Sequence, residues 1–422
     1  MMEAKDNNNP DAPLVVFDAR LVGETPSGIG VYATEMLRRI PRLAPDLRFL
    51  ALFRSEAIRD RVLGDGAPGN VAFKIIPYGP FSPKSQLLLP FLLRRAGAAI
   101  YHTPHFVMPY LAFSRKSYGF FEPRPLKRCL CITNIHDIIP LVVPGYAPAS
   151  RTSKFLGVYR ECIRQAILRS DIVITGSRTA RDDIERVFGA DAAARCDVVF
   201  DGADLSGRSA EDHAPVKAAD DVSTPRLIIY VGRMDPYKNV PLLVEAFKRI
   251  KASCPFPVRL KVIGPKDPRY PEAERRAAEL GLSDDIAFTG FVSSAELAEA
   301  YRTADLLAHP SRYEGFGLQL VEAMAAGTPV LCTNGGSQGE VAGGAAAIVP
   351  AGDVEAFAGA ASAILRDPEK QEKMRQLGKA RAARFTWDAT AGNTLDTYRM
   401  ALDAQRMVQR VYGSIAGKGA MP

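Results

Sequence analysis

His309-Pro310-Ser311-Arg312-Tyr313-Glu314-Gly315-Phe316-Gly317-Leu318-Gln319-Leu320-Val321-Glu322-Ala323-Met324-Ala325-Ala326-Gly327-Thr328-Pro329 passes from strand to helix within a few residues. The apolar run Leu306-Leu307-Ala308 before it reads as a short buried strand. A helix opens at about Gly317 and ends near Gly327, where a glycine closes it. Glycines at the junction let backbone amides approach a ligand. The helix N-terminus adds partial positive charge, which favours an anion such as phosphate. Glu314 lies in the loop, and Glu322 about one and a half turns into the helix. Such a pair can hold hydroxyl groups on either side of a phosphate. The plain structural alternative is a capped core helix with two solvated acids.

Outward from this stretch, the same alternation fills the chain. β-rich runs at 227–231, 259–263, 286–289, 306–309, 329–332 and 346–349 interleave with helical patterns at 240–251, 272–280, 294–303, 318–326, 354–365 and 369–384. Another series precedes it, with strands at 14–18, 47–53, 71–77, 98–102, 130–135, 172–175 and 198–200 and helices at 31–39, 150–168 and 179–188. This is α/β architecture with two Rossmann-like domains facing a cleft at the carboxyl ends of their strands. The pattern breaks in the polar, turn-rich stretch 206–225, a linker between domains at 14–205 and 226–390. A last helix is expected over 391–412, with disordered ends at 1–13 and 413–422.

At 422 residues two domains are the natural division. A content of 47 % hydrophobic and 24 % charged residues is that of a water-soluble globular chain. The net charge of +7 suits anionic ligands or an anionic membrane surface and does not imply nucleic acid. Six scattered cysteines form no C-x-x-C pair, so neither a zinc site nor a disulfide framework is indicated. The polar N-terminus lacks a signal-peptide core, and no run nears the ~20 apolar residues of a membrane helix. A cytoplasmic protein, peripheral at most on the inner face of a membrane, is expected.

Chemistry concentrates at strand ends. Arg233 follows a strand and Gly232, and Lys238 opens the next helix five residues later. Two fixed cations beside a cleft suit a diphosphate and neutralise charge on a departing phosphate. His136-Asp137 ends another strand; the histidine can take a proton or bind a sugar hydroxyl, and the aspartate can orient it or meet an acceptor. His102 and His105 flank Pro104, which denies a helix, and metal binding would need further ligands. That stretch reads as a strand-end loop lining the cleft, with His105 on the acceptor side. Gly28-Ile29-Gly30-Val31-Tyr32-Ala33 matches G-x-G-x-x-A, but 19–27 separate it from the strand a dinucleotide fingerprint should follow. A glycine loop facing phosphate or sugar is the better reading, and a plain flexible loop the alternative. The segment 113–128 carries five basic residues, one acid and interleaved aromatics, as an anionic membrane surface would require or an ordinary basic loop would show.

Together these features resemble retaining glycosyltransferases of family 4, which have the GT-B architecture. The resemblance rests on Gly28–Gly30, His136-Asp137, Gly232-Arg233 with Lys238, and the Glu314/Glu322 stretch. Thr175-Gly176-Ser177, Asp201-Gly202-Ala203-Asp204 and Phe385-Thr386-Trp387 also fit, although Asp201 stands where Asn is common. It implies that Arg233 and Lys238 bind the donor diphosphate and that Glu314 bonds the donor sugar. Gly315, Phe316, Gly317 and Leu318 would present amides, and Glu322 would bind ribose hydroxyls. His136 would sit beside the transferred sugar and Asp137 near the acceptor. The second domain would hold the nucleotide sugar, the first would face the acceptor, and the last helix would cross back to the first.

The expected activity is retaining transfer of a hexose to a glycan or lipid-linked oligosaccharide in surface polysaccharide synthesis. The sequence contains no D-x-D motif, and two cations plus a helix N-terminus can stabilise the leaving phosphate without metal or other cofactor. The stretches at 27–32, 102–105 and 135–140 look most like bacterial mannosyltransferases, hence GDP-mannose. UDP-glucose is the alternative donor, and a catalytically inactive nucleotide-sugar-binding protein a second class. An NAD enzyme built on Gly28 and Gly30 would leave Arg233, Lys238, Glu314 and Glu322 unexplained.

Overall fold

The computed structural model describes residues 11–24, 27–114, 129–203, 214–218 and 220–418. The first sheet has seven strands, β1 (Leu14–Asp18), β2 (Arg48–Phe53), β3 (Val71–Ile75), β4 (Ala98–Thr103), β5 (Leu130–Asn134), β6 (Ile172–Thr175) and β7 (Cys196–Val198), in the order β3-β2-β1-β4-β5-β6-β7. The second has six, β8 (Arg226–Val231), β9 (Val258–Ile263), β10 (Ile286–Gly290), β11 (Leu306–His309), β12 (Val330–Thr333) and β13 (Ala347–Val349), in the order β10-β9-β8-β11-β12-β13. All pairings are parallel. The central strands read as unbroken apolar runs because helices cover both faces, so Val15, Val16, Phe17, Leu306, Leu307 and Ala308 are all buried. Both strand orders reverse beside their first strand, at β1/β4 and β8/β11. Such a reversal opens a crevice at the carboxyl ends. The two-domain α/β expectation therefore holds.

The helix Gly28–Leu43 follows β1. The Ser27 hydroxyl accepts from the Gly30 amide, so the glycines expected in a loop before residue 31 form the helix's first turn. Its buried face includes Tyr32, Ala33, Met36, Leu37 and Ile40. The last helix packs on it: Trp387, Ala391, Leu395, Tyr398 and Leu402 share a core with Val15, Phe17 and Met36. The chain thus crosses back to the first domain, through a helix that spans Trp387–Lys418 instead of 391–412. At the crossing, Ala203 bridges Thr386, and Gly202 lies so close to the Trp387 backbone that a Cβ has no room.

Other differences are local. The helix expected at 150–168 breaks at Phe155 into Arg151–Lys154 and Leu156–Arg169. The strand expected at 198–200 lies at Cys196–Val198. Helices Glu56–Leu63 and Pro83–Ala96 were not foreseen, although Ser55 and Ser82 cap their starts and Gly97 closes the second in the left-handed conformation. Of the disordered ends expected, 1–10 and 419–422 lie outside the described residues. So do 204–205 at the end of the first domain, 206–213 and 219 of the linker, and 115–128 of the basic, aromatic segment. Among the described residues, no helix is long and apolar enough to cross a membrane.

Candidate active site

A cleft of about 620 Å³ separates the two sheets' carboxyl ends. From the first domain Gly28, Tyr32, His136, Asp137 and Asp201 line it. From the second come Gly232, Arg233, Lys238, Glu314, Gly315, Phe316, Gly317 and Leu318. Most of the residues singled out from sequence therefore meet here, although they lie up to 290 residues apart in the chain, from Gly28 to Leu318.

Lys238 and Glu314 form the centre of the second-domain wall. Lys238 ends a short 3₁₀ turn after β8, and Glu314 lies in the loop five residues past the end of β11 at His309. Lys238 Nζ donates to both Glu314 carboxylate oxygens, at 2.7 and 2.8 Å. His309 Nε2 lies 2.8 Å from Glu314 Oε1. An ionised carboxylate only accepts, so Nε2 carries the proton. Burial pushes the Glu314 carboxyl up, but the Lys238 charge and the His309 hydrogen bond outweigh it and hold it below the usual carboxylate range. Glu314 is therefore an anion at neutral pH. A pair buried this deeply costs more to break than it contributes as a whole, because removing either partner strands the other charge.

Arg233 is held differently. Its guanidinium meets buried Asp235, with Nε 2.6 Å from Oδ2, while most of the side chain stays open to the cleft mouth. The Tyr230 hydroxyl donates to the Arg233 carbonyl at 2.6 Å and fixes the backbone beneath it. The floor between these cations is bare backbone. Gly232 and Gly264 both have φ near +150°, at +152° and +153°, and a Cβ on Gly264 would strike the Gly232 carbonyl.

The helix Leu318–Ala325 starts at the cleft. Its N-cap, Gly317, adopts φ +92° and offers no side chain; the Leu320 amide donates to the Gly317 carbonyl at 3.0 Å, which leaves the Leu318 and Gln319 amides to an anion. Across the cleft, a Cβ on Gly315 would lie 2.6 Å from the Asp137 Cβ. Only glycine lets the two lips meet this closely. Ser177 Oγ donates to the Gly315 carbonyl at 2.6 Å, and the Arg178 and Thr179 amides donate to Glu340 at 3.1 and 3.2 Å, joining the domains beside the site.

On the opposite wall, His136 Nδ1 stands 3.6 Å from Asp201 Oδ2, and the Tyr32 ring meets the imidazole edge-on. Its buried Nε2 has no hydrogen-bond partner among the described residues. Burial pushes the imidazole pKa down, but the Asp201 carboxylate, with help from Asp137, more than reverses this and leaves it above the ordinary value. The Asp137 carboxyl is raised, by burial first, although its Oδ1 accepts from the Ile139 amide at 3.1 Å.

Three expected residues do not line this cleft. The Gly30 amide is already committed to Ser27, and the residue borders a smaller neighbouring cavity. His105 turns its Nδ1 to the Val107 amide, and burial pushes its imidazole down to about 3, so it shapes its own turn as a neutral ring. Glu322, behind the helix start, accepts from the Tyr301 hydroxyl at 2.9 Å. Conversely, sequence reasoning assigned no role to His309 or Asp235, and no consequence to Asp201. The only available signal was their placement just past a strand end or beside a predicted cation.

Comparison with known proteins gives this cleft its context. Residues 26–206 match the model described as Glycosyltransferase Family 4, and residues 216–381 match Glycosyl transferases group 1. The O-antigen chain mannosyltransferase B of Escherichia coli is 26 % identical over 92 % of this chain and 99 % of its own. A D-inositol 3-phosphate glycosyltransferase of Segniliparus rotundus is 33 % identical, over 56 % of this chain and 54 % of its own, so that match spans about half of each. Sucrose-phosphate synthase from Thermosynechococcus elongatus superposes with a TM-score of 0.69 at 20 % identity, covering 93 % of this chain and all of the other. Anabaena HepE in complex with UDP and glucose superposes at 0.68 and 18 % identity, covering 92 % of this chain and all of the other. With one family model on each domain, a mannosyltransferase alike over nearly the whole length and neighbours of the same two-domain build, the chain belongs to the family 4 glycosyltransferases of GT-B fold.

Proposed function

We propose that the protein transfers mannose from GDP-mannose, with retention of configuration, to a glycan or lipid-linked oligosaccharide in surface polysaccharide synthesis. The observation that carries this is the Lys238–Glu314 pair at an uncapped helix start, set across the cleft from His136. In this reading Arg233 and Lys238 take the diphosphate, and Glu314 and the 315–318 backbone hold the sugar. Glu322 turns from Tyr301 to the ribose. His136 lies beside the sugar carbon, and Asp137 faces the acceptor. Lys238 enters the reaction already paired, so a diphosphate would draw it partly away from Glu314 and free a carboxylate oxygen for a sugar hydroxyl. The two cations and the first-turn amides stabilise the leaving phosphate, which takes the acceptor's proton as the new bond forms on the same face. This chemistry requires no metal and would proceed at the cytoplasmic face of a membrane. The likeness to the E. coli mannosyltransferase over almost the full length supports the sugar.

A donor screen that reads released GDP or UDP, with chelator present, tests the reading. Release of GDP from GDP-mannose is expected. Turnover of UDP-glucose alone would replace the donor, and donor binding without transfer or hydrolysis would leave a binding protein.

A further inference from the structure

The first domain carries an apolar face on its outside. Helix Pro83–Ala96 buries Ser85, Leu89 and Leu93, yet turns Leu87, Leu88 and Phe91 outward, with Phe91 72 % exposed. These three recur at helical spacing and form one stripe. The adjoining turn Tyr110–Ala112 adds Leu111, 68 % exposed, and the start of helix Leu156–Arg169 adds Phe155 and Val158. The Gln86 side chain ties the first helix to that turn, accepting from the Tyr110 amide at 2.7 Å and donating to the Met108 carbonyl at 3.0 Å. A helix apolar on both faces has a second partner, and clustered large apolar side chains mark where it binds.

The charges select the partner. Residues 66–114 and 138–160 contain no Asp or Glu. Lys84 stands at one end of the stripe and Arg94 and Arg95 at the other, all exposed, while exposed Arg151 and Lys154 flank Phe155. Because both ends of the stripe are basic, a two-fold pairing of copies would set cation against cation in either direction. Apolar side chains bordered by cations suit an anionic lipid surface. From Phe81, a row of rings passes through His105 and Phe106 to Tyr159, with successive centroids 5.7, 3.9 and 5.3 Å apart.

We propose that this face of the first domain docks on an anionic bilayer. The inference rests on the lipid-linked acceptor of the reading above and names the surface that would present it.

Co-sedimentation of the full chain with vesicles tests it, comparing phosphatidylcholine alone with phosphatidylcholine containing phosphatidylglycerol. The wild type is expected to pellet with the anionic vesicles only. The combined variant Leu87→Ser, Leu88→Ser, Phe91→Ser should bind at least about tenfold more weakly, with unchanged release of GDP in solution. In Phe91→Trp, emission should move to shorter wavelength on adding anionic vesicles. A wild type left in the supernatant overturns the proposal. So does equal binding by the triple variant, or a homodimer that the triple variant dissolves while vesicle binding is absent. Vesicle binding without turnover of any donor would remove the transferase reading and leave the docking face standing; turnover without vesicle binding does the reverse.

Discussion

His136 and Asp201 meet over the end of an intervening strand. Their side chains leave the ends of β5 and β7, and Nδ1 lies 3.6 Å from Oδ2. Gly176, at the end of β6 between them, makes this possible: a Cβ there would stand 3.0 Å from Asp201 Oδ2. The imidazole thus has one nitrogen facing a carboxylate and the other, Nε2, without a partner among the described residues in the wall of the cleft.

This pair makes stability depend on pH. The folded pKa of His136 is raised, so its contribution is fully present below the unfolded value of about 6.5 and is lost as pH rises through the folded value. Asp137, His102 and His105 also face the ring, so the pair must be isolated by substitution. In urea unfolding, the margin by which wild type exceeds Asp201→Asn should be larger at about pH 6 than at about pH 9. A difference that does not vary with pH would reduce Asp201 to packing.

Lys238→Ala is expected to lower kcat/KM by about 10²–10³-fold through loss of a cation at the leaving phosphate. It also strands Glu314, with a stability loss of about 3–5 kcal/mol. The double variant Lys238→Ala, Glu314→Gln should recover much of that stability and none of the turnover. Thermal unfolding beside steady-state kinetics separates the two effects, and full activity in the single variant would remove Lys238 from the site.

Gly315→Ala pushes a methyl group into the Asp137 side chain, 2.6 Å away. The lips must part, which weakens the Ser177–Gly315 contact as well. Overpacking of this kind costs about 1–3 kcal/mol, so turnover should fall at least about tenfold while each domain stays folded. Small-angle scattering should register the wider cleft. An unchanged profile with normal kinetics would show that closure at this point is not needed.

Glu322→Gln is expected to weaken nucleotide binding about tenfold and to leave kcat within about twofold. The carboxylate must exchange the Tyr301 hydroxyl for a ribose, a contact made before and during transfer alike. Calorimetry with GDP checks this. Unaltered affinity would make Glu322 a strut for Tyr301.

Much of this was legible in local chemistry. Continuous apolar runs ending in glycine or charge, alternating with helical patterns, read as parallel strands delivering loops to a crevice, so the two domains and the positions of Arg233, Lys238, Glu314, His136 and Asp137 followed from sequence, while the returning helix was implied by the family resemblance. The 315–318 turn did too, because glycines before an apolar helix leave amides open whatever surrounds them. The rest depended on which side chains meet through space. His309, the last residue of β11, meets Glu314 because the chain after the strand returns past it, and Asp201 reaches His136 only because Gly176 clears the way. Gly30, His105 and Glu322 carry suitable groups, but Ser27, Val107 and Tyr301 claim them. Hydrogen-bond partners are short-range and directional, and sequence spacing sets them only within a turn. Across strands and domains, packing decides them.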